Sequence, residues 1–211
     1  MVARSVSRRP GFERARAALA ERRIPVVVRS TGGGVVPQGP GIVNLSATVP
    51  LSAARGATGA DFARLCAPLQ DWLGARGLAS QLGHVPGSFC DGAHNVMVHG
   101  RKLAGAAQRR GRTHALLHMV VLVDTDLPSA VGAVRLLREH LGDAPPRVDA
   151  HTTLAGLGMR PADLLTFAAE LQRRFLGSAA LRAPHRGDDD GQRDDSHPPR
   201  SDRTHRQRRC L

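Results

Sequence analysis

Lys102 is the only lysine among the 30 basic residues of this 211-residue chain. Every other one is Arg, and the same bias leaves no Tyr, five Phe and two Asn, Asn44 and Asn95. On a solvated surface Arg does most of what Lys does. A position that stays Lys needs a compact point charge that sits on one oxygen and can lose its proton when buried. Lys102 stands in Gly100-Arg101-Lys102-Leu103-Ala104-Gly105-Ala106-Ala107-Gln108, where small residues leave room for a slender substrate. Twelve positions upstream, Cys90 lies in the polar turn Pro86-Gly87-Ser88-Phe89-Cys90-Asp91-Gly92, accessible between glycines. The thiolate is the nucleophilic form of cysteine, and a nearby ammonium favours it. The residues alone leave Cys90 open between nucleophile and plain turn cysteine. His94 and His99 can act as bases, but no carboxylate stands at an informative spacing and they stay unassigned.

A second segment, Arg29-Ser30-Thr31-Gly32-Gly33-Gly34, follows a β-branched run and leads on to Asn44. Three glycines let a backbone approach a ligand closely and turn N–H groups toward it. Arg29 beside them can hold a carboxylate or phosphate bidentately. The loop is not a nucleotide-binding Walker loop, because no Gly-Lys-Ser/Thr follows, and it lacks the dinucleotide Gly-x-Gly-x-x-Gly spacing.

The elements that must carry these residues are legible in periodicity. A helix is expected over 11–23, then a strand over 24–29 and an apolar stretch over 42–49. Over 60–75, Phe62, Leu65, Cys66, Leu69, Trp72 and Leu73 share one helical face, which makes Cys66 a small core residue. Residues 94–99 and 103–109 predict a hairpin through Gly100, and 114–123 a strongly apolar strand. Helices are expected at 128–141 and 161–176, the latter opened by Pro161 with Asp163 near its start. Strands and helices do not alternate strictly, so the expected class is α+β: a mainly antiparallel sheet flanked by helices. The expected boundaries are a catalytic domain over 1–182 and a charged, disordered tail over 183–211. That tail holds six Asp and, from Arg186 to Arg209, seven Arg, with few apolar residues to offset ordering entropy.

The net charge of +12 invites a nucleic-acid reading. Aromatic residues for base stacking make up only 3% of the chain, the arginine excess follows from the coding bias, and no recognition motif is present. No nucleic acid is expected as partner. No apolar run approaches the ~18–20 residues of a membrane span, and no apolar stretch follows the charged N-terminus as a secretory signal requires. Three widely spaced cysteines form neither a disulfide framework nor a zinc motif, so no metal and a cytoplasmic location are expected.

Together these segments resemble the lipoate–protein ligase and octanoyltransferase family, whose catalytic fold is shared with biotin–protein ligase. Arg29, Thr31, Gly32, Gly33, Gly34 and Asn44 match its Arg-x-Ser/Thr-Gly-Gly-Gly loop and following Asn. Gly100 to Gln108, with Lys102 and Gly105, match its Gly-Arg/Lys-Lys-x-x-Gly-x-x-Gln motif. His118 to Asp126 and His151-Thr152-Thr153-Leu154 resemble later family segments. The resemblance implies attachment of a lipoyl or octanoyl group to a lysine of a lipoyl-carrier domain, from a 2-oxoacid dehydrogenase E2 or the glycine cleavage H protein. A ligase of this kind uses ATP and Mg2+; Lys102 then pairs with the acyl carbonyl and phosphate, and the remaining matched residues bind substrate or nucleotide. One transferase branch carries the acyl group on a cysteine just upstream of the lysine motif and uses no ATP. Ser88-Phe89-Cys90-Asp91-Gly92 resembles that branch's segment, with Cys90 as the nucleophile. Family members begin with a further helix and strands beside the acyl pocket, so the resemblance implies an N-terminally shortened, monomeric domain. Its non-catalytic alternative is a binder of acyl groups or lipoyl domains.

Overall fold

In the computed structural model, residues 1–50 and 58–177 are described, so the expected tail over 183–211 lies outside the described residues. Strand β1 (Val2–Ala3), helix α1 (Phe12–Glu21) and strand β2 (Val28–Arg29) open the chain. Of the strand expected over 24–29 only its last two residues pair, in parallel with β1. Strand β3 (Ile42–Pro50) follows the glycine loop, and helix α2 (Thr58–Gly74) follows β3. Three strands then lead up to and form a hairpin: β4 (Gln81–Gly83), β5 (Asn95–Val98) and β6 (Arg101–Arg110). Strand β7 (His114–Leu122), helix α3 (Leu127–His140) and helix α4 (Pro161–Gly177) complete the fold. Periodicity did not foresee β1 or the three-residue β4.

Five strands form one antiparallel sheet in the order β3-β7-β6-β5-β4. The α+β class expected from the sequence is the one observed. The predicted helical face of α2 is the buried one, with Leu65, Cys66, Leu69, Trp72 and Leu73 all inaccessible. It packs with Phe167, Leu171 and Phe175 of α4 against Leu117, Met119 and Val121 of β7. The two helices are further joined by Arg76, which lies 3.8 Å over the Trp72 ring and pairs with Glu170 at 2.8 Å. On the opposite sheet face, near Leu122, a second apolar cluster joins β1, α1 and α3 through Val2, Phe12, Ala15, Leu19, Val131, Val134 and Leu137. Asp126 caps α3 by accepting the Ser129 N–H, and Pro128 sits in the first turn.

Two local features of β5 and β6 position the chemistry. The hairpin turns through His99 and Gly100, both at positive φ (48° and 72°), the geometry that matches strand twist in a two-residue connection. The register then shifts: Val98 pairs with Arg101 and Met97 with Lys102, but Val96 pairs with Ala104. Leu103 is the extra residue of a β-bulge. Leu103 and Ala104 consequently both join the α2–α4 core, while Lys102 turns to the other face beside Gly105.

Candidate active site

Lys102 is 1% exposed, and its Nζ donates to the carbonyl oxygens of Phe89 (2.6 Å) and Cys90 (3.0 Å). Burial pushes the ammonium down to about 8, with Cys90 and Asp91 pulling the other way. Gly105 makes this placement possible: a Cβ there would lie 3.0 Å from Lys102 Cε and 3.1 Å from Nζ. A larger residue type would fill the space the lysine stem occupies.

Cys90 has φ 51°, a left-handed conformation that costs a non-glycine residue energy and persists only when its surroundings hold it. Three contacts do so. Lys102 fixes the carbonyls of residues 89 and 90, the Phe89 N–H donates to His151 Nε2 at 3.1 Å, and the Gly34 N–H donates to Cys90 Sγ at 2.9 Å. Asp91 anchors the far side of the turn, accepting from the Val85 N–H (2.7 Å) and from Asn95 Nδ2 (3.0 Å). The glycine loop therefore packs directly on the thiol. A Cβ at Gly33, where φ is 91°, would stand 3.2 Å from Sγ and 3.0 Å from Arg29 Nη2.

Arg29 is nine-tenths buried; Nη2 donates to the Gly32 carbonyl at 2.9 Å, and Nε and Nη1 are buried without a protein partner. Burial holds its guanidinium below the ordinary arginine range, opposed by the neighbouring Cys90. Thr31 is buried and shares a 2.8 Å hydrogen bond with His118 Nε2. Burial, with Arg29 adding to it, lowers the His118 pKa and favours the neutral ring. A cleft lined by Arg29, Cys90, Lys102, Gly105, Ala107, His118, Val120 and Leu122 joins these groups. Its lining is mostly apolar, with the Cys90 thiol, Lys102, Arg29 and His118 as the polar groups, a composition that suits an acyl chain.

Of the residues singled out in the sequence, the fold brings Cys90, Lys102, Arg29, Thr31, Gly105 and the glycine loop together. Gly32 ties the loop to β6 through its N–H on the Gln108 carbonyl, at 3.3 Å. Gly100 sits at the hairpin turn and does not line the cleft. Asn44 shares the row Asn44–Val120–Gly105 on the site face, yet it is exposed and its amide pairs with Gln38. His94 stacks on Phe62, with ring centroids 4.4 Å apart, and His99 lies in the turn. Among the described residues no three His, Cys, Asp or Glu side chains gather as a metal site. No helix of the described residues is long and apolar enough to cross a membrane.

The lipoyl protein ligase A/B catalytic domain family matches residues 7–175. An octanoyl-[GcvH]:protein N-octanoyltransferase of Kyrpidia tusciae is 38% identical over 142 residues, covering 62% of this chain and 49% of that protein. A lipoyl-[GcvH]:protein N-lipoyltransferase of Listeria monocytogenes is 27% identical over 121 residues, covering 57% of this chain and 43% of that protein. The chain thus spans about half the length of the curated relatives it matches. Among solved structures, a lipoate-protein ligase A bound with ATP superposes with TM-score 0.58 at 19% identity, over 75% of this chain and 60% of that one. Protein Ta0514 of T. acidophilum with bound lipoic acid gives TM-score 0.57 at 21% identity, with the same coverage. These likenesses establish the shared fold. Through the match over residues 7–175, this chain belongs to the lipoyl protein ligase A/B catalytic domain family.

Proposed function

We propose that the protein moves an octanoyl or lipoyl group between lipoyl-carrier domains through a thioester on Cys90. The observation that carries this reading is the thiol itself, lining a mostly apolar cleft against the Gly34 N–H with Arg29 and Lys102 beside it. The octanoyl- and lipoyl-[GcvH]:protein transferase relatives of Kyrpidia and Listeria support it. In the first half-reaction the Cys90 sulfur forms a bond to the acyl carbonyl carbon of the donor carrier. The C–N bond to the donor lysine breaks, and the thiol proton leaves on that amine. In the second, the neutral amine of the acceptor lysine attacks the thioester, the C–S bond breaks, and the thiol is restored. Each half passes through a tetrahedral oxyanion. The donors left for it are the third N–H of the Lys102 ammonium and the free Nε and Nη1 of Arg29. Carriers of the H-protein and E2 classes are the proposed partners, and residues 1–182 the proposed catalytic domain, acting in the cytoplasm as a monomer.

An ATP-dependent ligase is the second reading, favoured by the likeness to the ATP-bound ligase structure. Here the donors that would cradle a nucleotide phosphate are largely engaged. The Gly34 N–H is directed at Sγ, and two Lys102 donors are on loop carbonyls. The chemistry of the loop therefore fits a cysteine better than a triphosphate. The test incubates the protein with an octanoylated H protein and an apo E2 lipoyl domain without ATP, and separately with octanoate and ATP. ATP-free transfer, an octanoyl adduct on the Cys90 peptide and an inactive Cys90→Ser variant are expected. Strict ATP dependence with an unimpaired Cys90→Ser variant overturns the thioester route.

A further inference from the structure

We propose that His151 is a positioning residue for Cys90: its neutral ring fixes the N–H end of the Phe89–Cys90 segment while Lys102 fixes the carbonyl end. The proposal rests on the reading of Cys90 as nucleophile. His151 lies at the close of a short 3-10 turn, Val148–Ala150, far from Cys90 in sequence and 1% exposed. Both ring nitrogens are committed. Nδ1 is 2.8 Å from the Arg147 carbonyl, to which it must donate, and Nε2 accepts the Phe89 N–H at 3.1 Å. Only the neutral Nδ1–H tautomer satisfies both contacts.

The ring also stacks on Phe89, with centroids 4.2 Å apart and planes 16° apart. Phe89 is the residue whose carbonyl holds Lys102 Nζ, and its ring lies 5.0 Å from that ammonium. The backbone closes the same circuit: residues Lys102 and His151 form a parallel bridge, and the Thr152 N–H donates to the Lys102 carbonyl at 2.9 Å. One residue thus sets the height of the lysine strand, the plane of Phe89 and the orientation of the peptide before Cys90. The left-handed Cys90 backbone requires such bracing from both sides. Burial pushes the ring down to about 4, and the nearby Lys102 and Arg138 charges add to this, so the lone pair on Nε2 is available across the physiological range. A protonated ring would turn a second N–H toward the Phe89 N–H and lose the contact.

The test compares His151→Phe, which keeps a ring to stack, with His151→Gln, whose side-chain oxygen restores an acceptor for the Phe89 N–H. Two readouts are taken: kcat and KM for octanoyl transfer, and the rate at which iodoacetamide alkylates Cys90, resolved by peptide so that Cys66 and Cys210 are counted apart. For His151→Phe, kcat falls on the order of 100-fold with KM for the carrier little changed, because the thiol is displaced and no substrate contact is lost. Cys90 alkylation changes in parallel, and His151→Gln recovers most of both. Unchanged kcat and alkylation in His151→Phe, or a His151→Gln variant as impaired as His151→Phe, overturns the proposal. Nitrogen-15 spectra of the wild-type histidines provide a check that needs no variant: a buried Nδ1–H tautomer supports it and an Nε2–H tautomer overturns it. If wild-type protein forms no thioester at Cys90, the reading of the reaction fails. The alkylation rates and the tautomer still decide whether His151 orients the thiol.

Discussion

The two faces of the five-stranded sheet are made by the same strands and have opposite requirements. Toward α2 and α4, Leu117, Met119 and Val121 meet Leu65, Leu69, Trp72 and Phe167, and every one is almost wholly buried. Toward Cys90, the alternating positions of β6 and β7 are Gly105, Ala107, His118 and Val120, small or polar and only partly covered. The period of two along a strand lets one residue serve volume and the next serve chemistry. The packed face needs only to be filled. The site face needs space left open and charges held in place, so its residues are less interchangeable.

That contrast can be broken from either side. The largest effect belongs to Lys102→Arg: transfer falls roughly a thousandfold although the charge is retained, because a guanidinium cannot occupy the enclosed site over Phe89 and Cys90. Carrier mass shift under single-turnover conditions measures it, and full activity would refute the central place of Lys102. On the packed face, Leu69→Ala costs about 3 kcal/mol of stability in a denaturant melt while kcat per folded molecule is unchanged. A fall in kcat there would mean the two faces are coupled. Gly33→Ala comes next, costing ~1–2 kcal/mol from its left-handed φ. The added methyl presses on Sγ and Arg29 and lowers transfer about tenfold. The smallest effect is that of Asn44→Ala, which leaves kcat at the wild-type value because the side chain lies outside the cleft and pairs with Gln38. A clear loss would extend the working part of the site face outward along β3.

The packed face was the more legible in the sequence. The 3.6-residue stripe from Leu65 to Leu73 and the apolar run of β7 announce their partners, because burial of apolar area is what periodicity records. Helices α1 to α4 fall where expected, to within a few residues. On the site face, spacing alone picked out Lys102, Cys90 and the glycine loop as separate segments and left their meeting to the resemblance. The detail of that meeting was not readable. That the Gly34 N–H meets the Cys90 sulfur, 56 residues away, could not be read from the loop itself. Lys102 also holds two backbone carbonyls of the Cys90 turn, a bracing role that the motif did not announce. His151, quoted only as part of a motif, carries no local signal. Its partners lie 62 residues away at Phe89 and across a backbone bridge at Lys102. Asn44 was grouped with the loop by its position in a motif, and strand alternation places it on the site face in register with Val120.

The bulge at Leu103 gives this hairpin an unusual sensitivity to chain length. Side chains alternate along β6, so with Leu103 in a regular, unbulged strand Lys102 would share the orientation of Ala104, two residues on, and point into the α2–α4 core. Deleting Leu103 would restore regular alternation with Lys102 still opposite Met97 on the site face, and the loss would fall on the core, which gives up a buried side chain. In a library of single-residue deletions, loss of Arg101 would be the intolerant one for activity, because it carries Lys102 opposite the core residue Val98, while substitutions at Leu103 that keep its size would pass. Reading frame along the strand, as much as residue identity, puts the only lysine of the protein where it acts.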